Sequence, residues 1–141
     1  MNVLVDSSVW IDYFRKSPNV NQDNQEWLNE LDTLIDENIV VINELILTEL
    51  IPFLRVKKKH KLISILNEIE CIPLNIAWQN IIDIQVRCIK NGINTIGIPD
   101  LIIAQNSLQN DLVLFSFDKH FKLINETIEK LYIYQEFTKK K

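Results

Sequence analysis

The sequence predicts an α/β fold in which a mainly parallel sheet is covered by helices on both faces. Short apolar segments alternate along the chain with longer segments whose apolar residues recur every three or four positions, which is typical of βαβ units. The short segments lack polar alternation, as strands buried on both faces do. The chain has only two glycines and four prolines, which argues against a turn-rich barrel or sandwich.

Length and composition indicate one ordinary globular domain spanning residues 1–141. The chain is 47% hydrophobic and 24% charged, close to the average for folded proteins. No apolar run approaches the roughly 20 residues of a membrane span, and the N-terminus does not look like a secretion signal. Cys71 and Cys88 form no CxxC pair. We therefore expect a soluble cytoplasmic protein with reduced thiols and no membrane association.

The first part of the chain predicts two strands and two helices. Residues 2–5 (NVLV) are a buried strand that leads into a short helix over 8–14, and a loop over 15–22 follows. Helix spacing of apolar residues then predicts a helix over 23–37. The β-branched segment 39–42 (IVVI) predicts a second buried strand.

The middle of the chain is expected to contain two helices and an edge strand. Asn43 can cap a helix that kinks or breaks at Pro52, because proline has no N–H to donate to Thr48. A second helix covers roughly 56–69. Residues 71–74 (CIPL) form a short strand or extended link, for which a proline favours a sheet edge.

The last part of the chain continues the alternation. Both glycines, Gly92 and Gly97, fall in one predicted loop between two helices, and Pro99 suits the first turn of the second. The predicted elements are a helix over 76–90, a helix over 99–109, a strand over 112–115, a helix that opens at Asp118 and a strand over 131–134.

Four acidic residues draw attention because of where they fall in this pattern. Asp6 ends the first strand, Asp118 follows the strand 112–115, and Asp100 lies in the first turn of its helix. In open parallel sheets, ligands bind beyond the carboxyl ends of the strands, and helix N-termini favour ionised carboxylates. Glu49 lies in mid-helix among apolar neighbours, where an acid is costly to bury unless it is paired or binds a metal.

If these carboxylates converge, they repel one another by a few kcal/mol per pair at about 4 Å and an effective dielectric constant near 20. A divalent cation would relieve that repulsion. Oxygen ligands favour Mg²⁺ or Mn²⁺ over zinc, since the two histidines and two cysteines are scattered. Each acid also has a simpler explanation, as an N-cap, as a partner of the helix dipole or as a partner of a lysine. Spacing alone does not choose between the two.

Four motifs occur in a recognisable order: VLVDSSVWIDYF, NELILTEL, IPDLIIAQNSL and LFSFDKHF. In this order and with these flanking hydrophobic residues, the chain resembles the PIN-domain ribonucleases, specifically the VapC-type toxins of bacterial and archaeal toxin–antitoxin pairs. The likeness runs from residue 2 to about residue 124. It implies a three-layer α/β/α sandwich with a central, mainly parallel sheet.

The resemblance also implies an activity and partners. Similar proteins are Mg²⁺- or Mn²⁺-dependent endoribonucleases that cleave single-stranded regions of RNA, are silenced by a cognate antitoxin protein and form homodimers. Their catalytic and metal-binding acids match Asp6, Glu49, Asp100 and Asp118, with Glu44 a second candidate for the helical glutamate. Small hydroxyl residues that support the acids match Ser8 and Ser116. Near Asp118 the family often has a further acid, which His120 replaces here.

The charge distribution is consistent with an RNA substrate, although the net charge is −4. Eight of the 15 basic residues lie in 55–61 (RVKKKHK) and 139–141 (KKK), which leaves seven to set against 19 acids. The chain is therefore an acidic body with two basic patches. A plain solvated surface would explain the lysines equally well. The functional interpretation assigns RNA-backbone contacts to Lys57, Lys58, Lys59 and Lys61.

Two other functions fit parts of the sequence. An aspartate-nucleophile phosphatase also has an acid at the end of its first strand, but it needs a second acid at position 8, where this chain has Ser8. A non-catalytic RNA- or partner-binding module could keep the same fold without turnover. Such a module would gain little from four clustered acids, and its RNA binding would not depend on metal.

Overall fold

The computed structural model describes residues 1–15 and 26–134. Most of the predicted loop 15–22, the first three residues of the helix predicted over 23–37 and the lysines 139–141 lie outside the described residues. In chain order the elements are β1 (Val3–Val5), α1 (Ser7–Phe14), α2 (Glu26–Asp36), β2 (Val40–Ile42), α3 (Glu44–Val56), α4 (His60–Glu68), β3 (Glu70–Cys71), α5 (Trp78–Lys90), α6 (Ile98–Gln109), β4 (Val113–Phe115), α7 (His120–Ile128) and β5 (Tyr132–Ile133).

The five strands form one sheet in the order β3-β2-β1-β4-β5, and every pairing between them is parallel. Val3 pairs with Val40 on one side and with Val113 on the other. β1 and β2 are buried along their whole length, while the edge strand β3 is exposed. The predicted parallel sheet is confirmed, and the apolar composition of its central strands follows from burial on both faces.

The helices pack in two groups. α1 contacts α3, and α3 contacts α4, whereas α5 contacts both α6 and α7. Between the groups and the sheet lies a hydrophobic core that includes the fully buried side chains of Leu4, Trp10, Ile42, Leu101 and Phe115. The predicted three-layer α/β/α sandwich is confirmed.

The helices of this sandwich are short. The longest that are described, α3 and α5, each have 13 residues, whereas a bilayer span needs about 20. Among residues 1–15 and 26–134, no helix has both the length and the apolar character that crossing a membrane requires.

Of the two outcomes predicted at Pro52, a kink or a break, the break does not occur, because α3 continues through this residue to Val56. Proline costs a helix one N–H donor, here the donor that would reach the carbonyl of Thr48. Both Pro52 and Thr48 are exposed, so this carbonyl can be solvated. The penalty is therefore smaller than it would be on the buried side, where Leu50 and Leu54 hold the helix against the core.

Other differences concern the ends of elements. α3 ends in a turn at Lys58, whose φ of 57° is left-handed, and α4 begins at His60 rather than near residue 56. β3 has only two residues, and the Ile72 N–H still donates to the Ile42 carbonyl at 2.7 Å before Pro73 ends the pairing. α7 begins two residues after Asp118.

The sheet order creates a crevice at the carboxyl ends of β1 and β4. The chain leaves β1 and returns as β2 on one side, while β4 lies on the other side of β1. The connections from these two neighbouring strands therefore diverge, which is the topological switch point where open α/β sheets bind ligands. Asp6 follows β1 at this point, and Ser116 follows β4.

Candidate metal centre

Asp6 is held rigidly at the end of β1. It has extended backbone angles, is only 5% exposed and is the N-cap of α1. Its Oδ2 accepts hydrogen bonds from the hydroxyls of Ser8 and Ser116, both at 2.9 Å, and a longer one of 3.4 Å from the Ser8 N–H. The capping explanation considered for this residue is therefore correct, and it does not prevent the carboxylate from lying in the crevice.

The two serines connect Asp6 to the segment that carries Asp118. The Ser8 hydroxyl oxygen accepts from the Phe117 N–H at 3.0 Å, and the Ser116 oxygen accepts from the Asp118 N–H at 2.9 Å. Because each hydroxyl donates to Asp6 and accepts from the backbone, the end of β1 and the β4–α7 connection form one hydrogen-bonded unit. This unit fixes the position of Asp118 relative to Asp6.

Asp100 and Asp118 meet through a histidine. The Nδ1 atom of His120 lies 2.8 Å from Oδ2 of Asp100 and 3.3 Å from Oδ1 of Asp118. Oδ1 of Asp118 also accepts from the N–H of His120, the first residue of α7, at 2.9 Å. Each of the three residues offers one ligand atom within 4.8 Å of those of the other two. They form a compact group of one nitrogen and two oxygen donors.

Glu49 reaches the same crevice from α3. Its side chain is exposed but accepts a hydrogen bond from the Ser7 hydroxyl, and the pKa of its carboxyl is raised by partial burial and by the nearby charges of Asp6 and Asp100. The hydrogen bond from Ser7 opposes this rise. The other candidate for the helical glutamate, Glu44, lies beside Cys71, whose pKa it helps to raise. Glu49 is therefore the glutamate that interacts with the other acids.

The pKa of Asp100 is raised for similar reasons. Burial raises the pKa of its carboxyl, and the charges of Asp118 and Asp6 raise it further, while the contact with His120 lowers it. Like charges held close together in a partly desolvated crevice disfavour ionisation of each other. The four acids predicted from the sequence thus influence one another, although they come from four separate parts of the chain.

The donors fit a divalent cation. Carboxylate oxygens are the ligands that Mg²⁺ and Mn²⁺ take in proteins, and a cation between them would remove the repulsion that raises the pKa values of Glu49 and Asp100. The imidazole nitrogen of His120 adds a donor that suits transition metals. The donor set of Asp100, Asp118 and His120 could therefore hold a divalent ion.

Sequence reasoning missed two contributors to this site. In the sequence His120 stands out only as the residue that replaces a further acid of the family, whereas in the structure its ring lies between two acids, one of them only two residues before it. Ser7 was not singled out at all. The spacing Asp118-x-His120 at a helix start was an available signal for the first, whereas nothing in the sequence indicated the second.

A groove connects Glu49 to the basic segment 55–61. It has a volume of about 540 Å³, and its walls are mostly apolar side chains of α1, α3 and α4. Glu49, Lys57 and Lys59 all line it, and the Lys57 ammonium lies 5.7 Å from the centre of the Phe53 ring. Lys58 and Lys61 are exposed on the same segment.

Comparisons with known proteins agree with this architecture. The PIN domain family profile matches residues 3–126. The fold is similar to that of VapBC2 from Rickettsia felis, solved bound to a DNA fragment from its promoter, with a TM-score of 0.69 and 21% identity over 95% of this chain and 98% of that one. It is also similar to DNA-bound VapBC from Salmonella typhimurium, with a TM-score of 0.70 and 16% identity over 95% and 97% of the two chains.

A third similar structure is FitAcB from Neisseria gonorrhoeae, with a TM-score of 0.66 and 18% identity over 94% of this chain and 96% of that one. At identities this low the three structures support the fold. No curated protein sequence matches the chain.

Proposed function

Because this chain belongs to the PIN-domain family, we propose that it is a metal-dependent endoribonuclease and the toxin of a toxin–antitoxin pair. The observation that carries the proposal is the group of acids at the switch point of the sheet. Asp6 is hydrogen-bonded to Ser116 there, and Asp100 and Asp118 both contact His120. Glu49 lies close enough for the charges of Asp6 and Asp100 to raise its pKa further, beyond the effect of burial. A structural role alone does not require Asp6 and Asp118 to lie where their charges raise the pKa values of Glu49 and Asp100, beyond the rise that burial causes. Cleavage of a phosphodiester does require a cation to be held by such groups.

We assign the acids distinct roles. Asp6 and Asp100 hold the principal ion, Mg²⁺ or Mn²⁺, Asp118 assists them or holds a second ion, and Glu49 orients the attacking water or completes the coordination. Ser8 and Ser116 keep the Asp6 carboxylate in one orientation through their 2.9 Å hydrogen bonds. When bound, a divalent ion held by these residues would supply positive charge to stabilise the transition state and the leaving oxygen.

RNA is assigned as the substrate, and the basic segment supports this. Lys57 and Lys59 line the groove that also contains Glu49, so a strand whose phosphates contact these lysines would be led to the acids. Lys58 and Lys61 add positive charge beside it. An acidic protein needs such a local basic surface to bind a polyanion.

The protein partners of the proposed toxin are a cognate antitoxin and a second copy of this chain, acting in the cytoplasm. Support comes from the similarity to VapBC and FitAcB. It also comes from α5, whose exposed surface carries a row of large apolar side chains that a partner would cover. These are Trp78, Ile82, Val86 and Ile89.

The test is cleavage of a structured RNA pool by the purified, antitoxin-free protein with Mg²⁺ and with EDTA. Wild type is compared with Asp100→Asn, and Asp83→Asn, which changes an exposed acid on α5, is the matched control. We expect cleavage that needs both metal and Asp100 and that survives Asp83→Asn.

Cleavage that persists in EDTA or in Asp100→Asn would contradict the proposal. RNA binding without turnover under any metal would favour the non-catalytic binding module instead. The phosphatase alternative has little support, because residue 8 is a serine whose hydroxyl is engaged with Asp6 and Phe117.

A further inference from the structure

We propose that His120 is itself a metal ligand, so that this site takes a divalent transition-metal ion such as Mn²⁺ in preference to Mg²⁺. The inference rests on the metal site of the proposed function and concerns which ion that site selects. It starts from the ring nitrogen that approaches both carboxylates, Nδ1 of His120, at 2.8 Å from Asp100 and 3.3 Å from Asp118.

These distances are those expected of neighbouring ligands around one ion. Ligands about 2.1 Å from an octahedral cation are separated from their neighbours by about 3.0 Å. The two nitrogen–oxygen distances lie on either side of that value. The third pair of donor atoms, from Asp100 and Asp118, lies within 4.8 Å. An ion among the three atoms would replace the hydrogen bond between Nδ1 and Asp100, so the ring nitrogen would bind it in its deprotonated form.

The local fold prepares the three donors. The Ser116 hydroxyl oxygen accepts a hydrogen bond from the Asp118 N–H at 2.9 Å. Oδ1 of Asp118 in turn accepts one from the His120 N–H, also at 2.9 Å. Asp100 lies in the first turn of α6. The side chains of His120, Asp100 and Asp118 are 28%, 20% and 34% exposed, so an ion can reach them from solvent.

The selectivity follows from the nitrogen donor. Mg²⁺ takes oxygen ligands and gives up its water reluctantly. Imidazole suits later first-row ions such as Fe²⁺ best, and Mn²⁺ is the member of that row that also takes carboxylate ligands readily. An all-carboxylate site would discriminate little between Mg²⁺ and Mn²⁺ on this ground. One imidazole in place of an acid shifts the preference toward the transition metal.

The chain offers a direct spectroscopic test, because it has only two histidines. Pulsed electron paramagnetic resonance of bound Mn²⁺ detects magnetic coupling to a ligating imidazole nitrogen, and labelling histidine with ¹⁵N assigns that coupling. We expect the coupling in wild type and in His60→Asn, the matched control at the exposed start of α4. We expect its loss in His120→Asp, which restores an oxygen donor.

A competition titration gives the second readout. The Mg²⁺ concentration needed to displace Mn²⁺ is measured for wild type, His60→Asn and His120→Asp, with circular dichroism as the check on folding. The preference for Mn²⁺ over Mg²⁺ is expected to fall in His120→Asp and to stay at the wild-type value in His60→Asn. Absence of imidazole coupling from wild-type bound Mn²⁺ would overturn the inference whether or not the variant folds.

The two proposals fail in different ways. Imidazole coupling to bound Mn²⁺ in a protein that cleaves no RNA would support the His120 assignment and count against the nuclease. RNA cleavage that needs metal and Asp100, in a protein whose bound Mn²⁺ shows no such coupling, would support the nuclease and refute the His120 assignment.

Discussion

Asp6 and Asn43 occupy equivalent places in the fold but serve different purposes. Each follows a buried central strand, and each side chain caps the helix that comes next. They are 5% and 0% exposed. Asn43 is neutral, whereas Asp6 brings a charge to the edge of the sheet. The same local requirement, a polar side chain that accepts from the first turn of a helix, is met by an amide in one case and by a carboxylate in the other.

The surroundings of the two caps explain the difference. Asn43 accepts from the Ile46 N–H at 2.9 Å and donates to Asn106 at 3.0 Å, and Asn106 donates to the Pro73 carbonyl at 3.1 Å. This buried amide network pairs its groups within the protein and needs nothing from outside. Near Asp6, burial and neighbouring charges raise the pKa values of Glu49 and Asp100, and a cation could offset that repulsion. The first arrangement satisfies its own polar groups, whereas the second brings like charges together at the edge of the sheet.

The substitution Asp6→Asn is expected to have the largest effect on function. It separates the helix-capping role of this residue from its proposed metal-binding role. Asparagine caps a helix as well as aspartate does, so the free energy of unfolding should change by less than about 1 kcal/mol. Loss of the charge should lower metal-dependent RNA cleavage by at least about a thousandfold, because the ion contributes several kcal/mol to the transition state. Urea unfolding and single-turnover cleavage measure the two quantities. Full nuclease activity would remove Asp6 from the site.

The reciprocal change, Asn43→Asp, should act on stability rather than on chemistry. It buries a charge and leaves Oδ1 of Asn106 without its donor, which we expect to lower the free energy of unfolding by about 3 kcal/mol. The midpoint of urea unfolding measures this loss. Metal affinity per folded molecule should remain as in wild type. A variant as stable as wild type would show that the amide network is not a structural element.

Substitutions in the basic segment 55–61 test whether the proposed RNA path extends from the acids to these lysines. Replacing Lys57, Lys58 and Lys59 together by alanine should weaken RNA binding and reduce the steepness of its dependence on salt. Loss of three phosphate contacts with single-stranded RNA corresponds to a change of about 2 in the slope of log K against log salt. Binding titrations at several salt concentrations measure the slope, and metal affinity serves as the control. An unchanged slope would exclude these lysines from the RNA path.

The smallest effect is on the pH dependence of stability without metal. The pKa values of Glu49 and Asp100 are raised by burial and by neighbouring acids, so the folded state binds protons more readily than the unfolded chain does. The stability that these groups contribute is present below the ordinary carboxyl pKa and is lost as pH rises through their raised values.

Urea unfolding in EDTA between about pH 4 and pH 8 compares wild type with the double variant Glu49→Gln, Asp100→Asn. We expect the variant to be the more stable protein at the high end of this range, with the difference fading toward the low end. A difference in stability that does not depend on pH would show that the pKa values of the two carboxyls are not raised in the folded protein.

The sequence by itself determined the elements and their type. Apolar runs such as 2–5 and 39–42 are long enough only for strands buried on both faces, and helix periodicity is a local property that needs no partner to be recognised. The positions of Asp6, Asp100 and Asp118 relative to these elements could be predicted for the same reason. Whether Pro52 breaks its helix depends on whether the carbonyl it leaves unpaired is buried or exposed, and only packing decides this.

Only the tertiary structure decided which groups meet. Asp6 and Ser116 are 110 residues apart in the sequence. The Ser116 hydroxyl nevertheless donates to Oδ2 of Asp6 at 2.9 Å, because β1 and β4 are neighbours in the sheet. His120 joins Asp100 across 20 residues for the same kind of reason, since α6 and α7 begin at one crevice. Local patterns carry no record of such pairings, because strand order arises from the burial of whole faces and not from any single residue. The sequence supplied the acids, and the packing of the sheet and helices turned them into one site.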